Sequence, residues 1–145
     1  MIMQAIIAFL AVVCFCIVLG VPKKFVVLAG LTGAIGWIIY LIFVKFELST
    51  IIASLISALC VAIISAIISK LIKAEISIFF IPGILPIVPG VAMYRIVYYV
   101  LANDVMMVKK YFYEAILIAG AIALAIFAVE SIKKMSYKKK GYLKW

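Results

Sequence analysis

The chain has 145 residues, of which 70% are hydrophobic, with a mean hydropathy of +1.41 and a net charge of +9. Soluble domains are roughly 45–50% apolar, so a water-soluble core of this size is excluded and the sequence reads as an all-α, multi-spanning membrane protein. The positive charge does not point to nucleic acid. Its lysines fall between apolar runs and in the tail KKMSYKKKGYLK at 133–144, where a membrane protein carries positive charge.

Five apolar runs follow in order, at roughly 2–20, 25–44, 48–69, 76–102 and 111–132, with a basic tail over 133–145. Each is long enough for a hydrocarbon core of about 30 Å. They are read as one membrane domain over 1–145, with about five transmembrane helices and the fourth broken. The first run has no basic segment before it and no small-residue cleavage site after it, so it reads as a retained span rather than a signal peptide. It ends in GVPKK at 20–24, a tight turn into the second run.

The second run carries Gly30, Gly33, Ala34 and Gly36. The third carries Ser54, Ala58, Ala62 and Ala66 at four-residue spacing, and the fifth Ala115, Ala119, Gly120 and Ala123. Lipid gives no hydrophobic drive between helices, so small residues that allow close approach are expected to be the contact faces. The other reading makes Ser54, Ser57 and Ser65 a polar path, although a serine on a membrane helix can satisfy itself on its own backbone.

The fourth run contains FFIPGILPIVPGVAMYRIVYY, residues 79–99. Pro82, Gly83, Pro86, Pro89 and Gly90 do not fit one regular helix, because each proline removes a donor and crowds the preceding turn. The spacing predicts a half-helix near 76–81, irregular backbone over 82–90 and a second helix over 91–102. Irregular backbone at membrane depth survives only when buried in protein or lining a wet cavity, and broken helices at mid-depth are a recurrent device of transporters. The second helix would start near Gly90 with free amides, and Arg95 follows about one and a half turns later, beside Tyr94, Tyr98 and Tyr99. Both features favour an anion. The competing readings of Arg95 are snorkelling to the interface and pairing with Asp104 or Glu114.

The acids Glu47, Glu75, Asp104, Glu114 and Glu130 all lie near span ends. Asp104 and Glu114 are the candidates for proton coupling, against a plain interfacial role for each. Counting Lys and Arg in the loops places ten on one side, from Lys23, Lys24, Lys70, Lys73 and the tail, and three on the other, Lys45, Lys109 and Lys110. This predicts an external N-terminus, a cytoplasmic C-terminus and a fourth run that crosses; a re-entrant fourth run would erase the bias. Histidine is absent and Asp104 is the only aspartate. No serine–histidine dyad or aspartate pair exists, so an enzyme is not expected, and neither a metal site nor a cofactor is expected. Cys14, Cys16 and Cys60 lie in apolar runs and imply no disulfide framework.

PGILPIVPG at 82–90, followed by Tyr94, resembles the proline–glycine signature of the threonine/serine exporter family. Chain length, five apolar runs and the VPKK turn at 21–24 make it most similar to the short membrane subunit, which corresponds to the C-terminal half of the fused exporters. The resemblance implies a subunit of a secondary exporter of small anionic or zwitterionic metabolites, threonine and serine or dicarboxylates such as succinate, driven by the proton motive force. It also implies a plasma or inner membrane location and a larger, separately encoded membrane partner; a homo-oligomer is the other assembly. Pro82, Gly83, Pro86, Pro89, Gly90 and Tyr94 match the signature, whereas Arg95, Asp104 and Glu114 come from charge and position alone. The alternative function is a non-transporting scaffold that stabilises a partner through the small-residue faces.

Overall fold

The computed structural model describes residues 2–139, with side chains as far as Ala128 and at Ser131, so the side chains of the tail over 133–145 lie outside it. The elements are α1 (Ile2–Val18), α2 (Lys23–Lys45), α3 (Thr50–Ile72), α4 (Ser77–Ile84), a 3-10 turn (Leu85–Ile87), α5 (Gly90–Leu101) and α6 (Val105–Lys139). No strand occurs among the described residues. Helix is the expected form for such sequences, because it satisfies the backbone within each segment where no water is available.

Four short turns join the long elements, and each places one residue in the left-handed region that closes a helix: Gly20 (φ 68°), Glu47 (φ 58°), Lys73 (φ 55°) and Asn103 (φ 56°). Side chains complete several ends. Ser49 accepts from the Ile52 amide (3.4 Å) at the start of α3, and the Ser69 hydroxyl donates to the Ala74 carbonyl (2.6 Å) at its end. Asp104 Oδ1 accepts from the Met107 amide (3.1 Å) at the start of α6.

Helix α2 is the centre of the bundle and packs on α1, α3 and α4. Its glycines permit this. A Cβ at Gly33 would meet Val12 of α1, and one at Gly36 would run into Val61 of α3. The Ser57 hydroxyl then donates to the Gly36 carbonyl (2.5 Å), so close approach and an interhelical hydrogen bond come together.

α3 and α6 run parallel. Thr50, at the start of α3, donates to Glu114 Oε1 (3.0 Å), and further along Ala58 and Val61 share a core with Ile122 and Ala125. The nine residues Val105–Tyr113 therefore stand beyond the start of α3, by roughly 13 Å. α5 folds back on this projecting part and, among the described residues, packs on α6 alone.

This register decides the path of the broken run. α4 starts at the α1–α2 turn, where the Phe79 ring meets Phe25 edge-on (5.5 Å), and α5 ends where α6 begins, at the opposite end of the bundle. The bent pair, with 44° between its halves, thus passes from one end to the other. Three helices are long and apolar enough to cross a membrane (α2, α3 and Val105–Ala128 of α6), the bent pair makes a fourth, and α1, with 17 residues, is shorter. The expected five crossings hold approximately.

Three expectations are corrected. The half-helix does not end at 81: α4 continues through Pro82 to Ile84 and the 3-10 turn to Ile87, leaving only Val88 and Pro89 irregular. The fourth and fifth runs are joined by residues 102–104, so Lys109 and Lys110 lie on α6 rather than in a loop. On α6 the buried residues are Ile118, Ala121 and Ala125, whereas Ala119, Gly120 and Ala123 are exposed. The stripe sits on the opposite side of the helix from α3, whose face is fixed by the Thr50–Glu114 register.

Gly36→Leu should lower the thermal stability of the purified protein, by about 1–3 kcal/mol for overpacking. Gly120→Leu, with nothing within 4 Å of its added Cβ, should leave it unchanged; paired melting curves in one detergent check both.

Candidate functional site

The break lies near the middle of the bundle. A Cβ on Gly83 would sit 3.1 Å from Thr32 Cγ2 and 3.2 Å from Val61 Cγ1. Thr32 and Val61 are each close to the middle of a 23-residue helix. Pro82 and Gly83 are buried there. Because Pro82 has no N–H, α4 loses a rung at this depth, and the Leu85 amide bonds the Pro82 carbonyl, tightening the chain into the 3-10 turn.

Val88 is extended (φ −56°, ψ 140°), and Pro89 (φ −73°, ψ 49°) sits at the centre of an inverse γ-turn closed by Gly90 N–H to Val88 C=O (2.7 Å). α5 begins at once, with Met93 N–H on the Pro89 carbonyl (3.0 Å). No side chain caps this N-terminus, and Gly90 is exposed, with open space where its Cβ would be. First-turn amides with this setting carry partial positive charge.

A cleft of about 260 Å³ borders the break. Leu85 and Pro86 form one wall, Ala8, Ala11 and Val12 of α1 another, and Trp37 of α2 a third. Trp37 stacks on Tyr40 (5.1 Å between centroids). The lining is almost wholly apolar, and Gln4 contributes its polar side chain. The sequence reading passed over Gln4; its signal was a lone amide inside an apolar 17-residue helix.

Two of the four buried hydroxyls, Thr32 and Ser57, are engaged. Thr32 Oγ1 donates to the Leu28 carbonyl (2.9 Å) on its own helix and Ser57 to Gly36, while the Ser65 hydroxyl, fully buried, has no partner among the described residues. This favours helix contact over a polar path for the α3 serines.

The rest of the expected site lies elsewhere. Tyr94 and Arg95 are exposed on α5. Arg95 Nη1 donates to the Tyr111 hydroxyl (3.2 Å), and its guanidinium lies 5.0 Å from the centre of that ring. It pairs with neither Asp104 nor Glu114. Asp104 is engaged as the cap of α6. Glu114 is half-buried, accepts from Thr50, and lies within electrostatic reach of Tyr40. The structure thus brings Pro82, Gly83 and Pro86 together inside the bundle, leaves Pro89 and Gly90 at its edge, and places Arg95, Asp104 and Glu114 toward the outer end. No cluster of acidic and cysteine residues able to hold a metal ion occurs among the described residues.

A helical bundle of apolar spans, one of them broken by prolines at mid-depth, is the build of a multi-pass membrane transporter. Residues 4–132 match the family described as Threonine/Serine exporter, ThrE, and the chain belongs to that family. No curated protein and no solved structure matches it. The family is one of transporters and is not an enzyme class.

Asp104→Ala should cost about 1 kcal/mol of stability through loss of the α6 cap, whereas Asp104→Asn, which caps equally well, should cost little. Melting curves of the two variants separate this structural role from a role of the carboxylate charge.

Proposed function

We propose that the chain is a subunit of a secondary exporter of small carboxylate-bearing metabolites, with threonine and serine first and dicarboxylates such as succinate second, and that the break is its substrate site. The observation that carries this reading is the crossing that is weakened at Pro82 at mid-depth and leaves helix at Val88–Pro89, where the uncapped N-terminus of α5 follows directly on the turn that walls the cleft. Free amides at such a terminus suit a carboxylate, and Pro82, Gly83, Pro86, Pro89 and Gly90 shape the backbone that presents them. Tyr94, one turn into α5, supplies a hydroxyl on the same segment.

Coupling to the proton motive force falls to Glu114, because Asp104 already serves as a cap. Glu114 sits at the α3–α6 seam on a hydroxyl that can follow its protonation. Family membership favours a plasma or inner membrane location, and the lysine bias an external N-terminus and a cytoplasmic C-terminus. In that frame the α1–α2 and α3–α4 turns face the cytoplasm. A larger membrane subunit of the same family is the proposed partner. The scaffold reading draws on one observation, the exposed small-residue face of α6 around Gly120 and Ala123.

Efflux of preloaded labelled serine, threonine and succinate tests these readings in cells expressing the chain with and without its proposed partner. Gly83→Val should reduce efflux at least tenfold, because a larger side chain there would be driven into Thr32 and Val61. Glu114→Gln should abolish the pH dependence of efflux while leaving the protein in the membrane. Full efflux in both variants, with loss only in Gly120→Leu, would favour the scaffold.

A further inference from the structure

The projecting α5–α6 hairpin carries a cationic cluster that the transport reading does not use. Arg95 and Lys110 both approach the Tyr111 ring, at 5.0 and 5.8 Å from its centre, so the two charges lie within about 11 Å of each other. Neither forms an ion pair with a carboxylate among the described residues, so both are available to an anion placed between them. The arginine is also held in place. Tyr99 stacks on Tyr111 (5.5 Å, 10° between planes), and the Tyr111 hydroxyl takes one of the five guanidinium N–H groups, leaving others for a ligand.

The depth of the cluster identifies the anion. Tyr111 comes three residues before Glu114, which is level with the first residue of α3, so the ring lies about 4.5 Å beyond that level. α2 and α3 are each 23 residues long, about 34 Å, and therefore fill the hydrocarbon core. The cluster is then at headgroup level. Around it Tyr94 and Tyr98 stack on each other (6.5 Å) while remaining 68% and 54% exposed, as in the aromatic belt of a membrane interface.

We propose that Arg95, Lys110 and the Tyr111 hydroxyl bind the phosphate of an anionic phospholipid, anchoring the α5–α6 hairpin in the headgroup layer. The guanidinium fork matches a phosphate edge, the ammonium supplies a second point charge, and the exposed tyrosines lie along the lipid. Its ligands, Arg95, Lys110 and Tyr111, are not those of the break, and it stands whether or not the break binds substrate.

The test uses the full-length protein in neutral detergent, with thermal unfolding titrated by short-chain phosphatidylglycerol, short-chain phosphatidylcholine or inorganic phosphate. Each cation near an anionic lipid is worth about fivefold in affinity. Phosphatidylglycerol should therefore bind at least about tenfold more tightly than phosphatidylcholine, and the Arg95→Gln/Lys110→Gln double variant should remove that preference. Arg95→Lys should retain part of it, and Lys45→Gln, at the same end of the bundle but outside the cluster, should leave it intact. The proposal is overturned by equal affinity for the two lipids, or by a preference that survives the double variant. It is also overturned if inorganic phosphate binds as tightly as phosphatidylglycerol, which would make this a site for a free anion. Should the double variant fail to fold, Arg95→Lys and Lys110→Gln taken singly carry the same comparison.

Discussion

A peptide group in hydrocarbon has no solvent to turn to, so each rung removed from a helix there must be made good by protein. The architecture of this chain follows from how it meets that constraint at three prolines within eight residues. α4 and its 3-10 turn are pressed into the seam of α2 and α3, with Gly83 against Thr32 and Val61 and with Ile84 and Ile87 in the core. The weakened backbone is thereby sealed from lipid. That seal requires α2 to come close to its neighbours, which its glycines allow, and the Ser57–Gly36 hydrogen bond fixes the approach.

The sequence made the existence and place of the break legible, together with the spans and the turns. It overstated the break's extent. Pro82 costs α4 one rung without ending it, because the residues after it still adopt right-handed helical geometry: Ile84 (φ −86°, ψ −16°) and Leu85 (φ −52°, ψ −41°). Only at Val88, held extended before Pro89, does the chain leave helix. Proline marks where a helix is weakened; the surrounding contacts decide whether it stops.

The α6 face and Arg95 were less legible, for a related reason. Small-residue spacing marks a surface able to pack without saying that anything does. The face turned to α3 was chosen instead by the Thr50–Glu114 contact, a pairing across 64 residues that no local pattern reveals. Arg95 could be assigned to the break by counting along α5, but depth depends on where α5 lies against α6. Because α6 starts well beyond the level of α3, the same count carries Arg95 outward, to Tyr111 rather than to the break.

A polar solute inside this bundle would meet few fixed charges. Glu47, Glu75 and Asp104 lie in the turns and Glu114 is level with the start of α3, while at mid-depth the Thr32 and Ser57 hydroxyls are committed to carbonyls. Recognition there cannot rest on a fixed side-chain charge. It must use backbone groups, and the break is where the backbone leaves its own ladder. A site built from amides and carbonyls holds a carboxylate without placing a permanent charge in the hydrocarbon when it is empty, which is the physical advantage of breaking a helix over burying an arginine. Placing Arg95 toward the headgroups and Pro82 at mid-depth are two parts of one solution: the permanent charge stays where water and lipid headgroups can solvate it, and the centre keeps only dipoles.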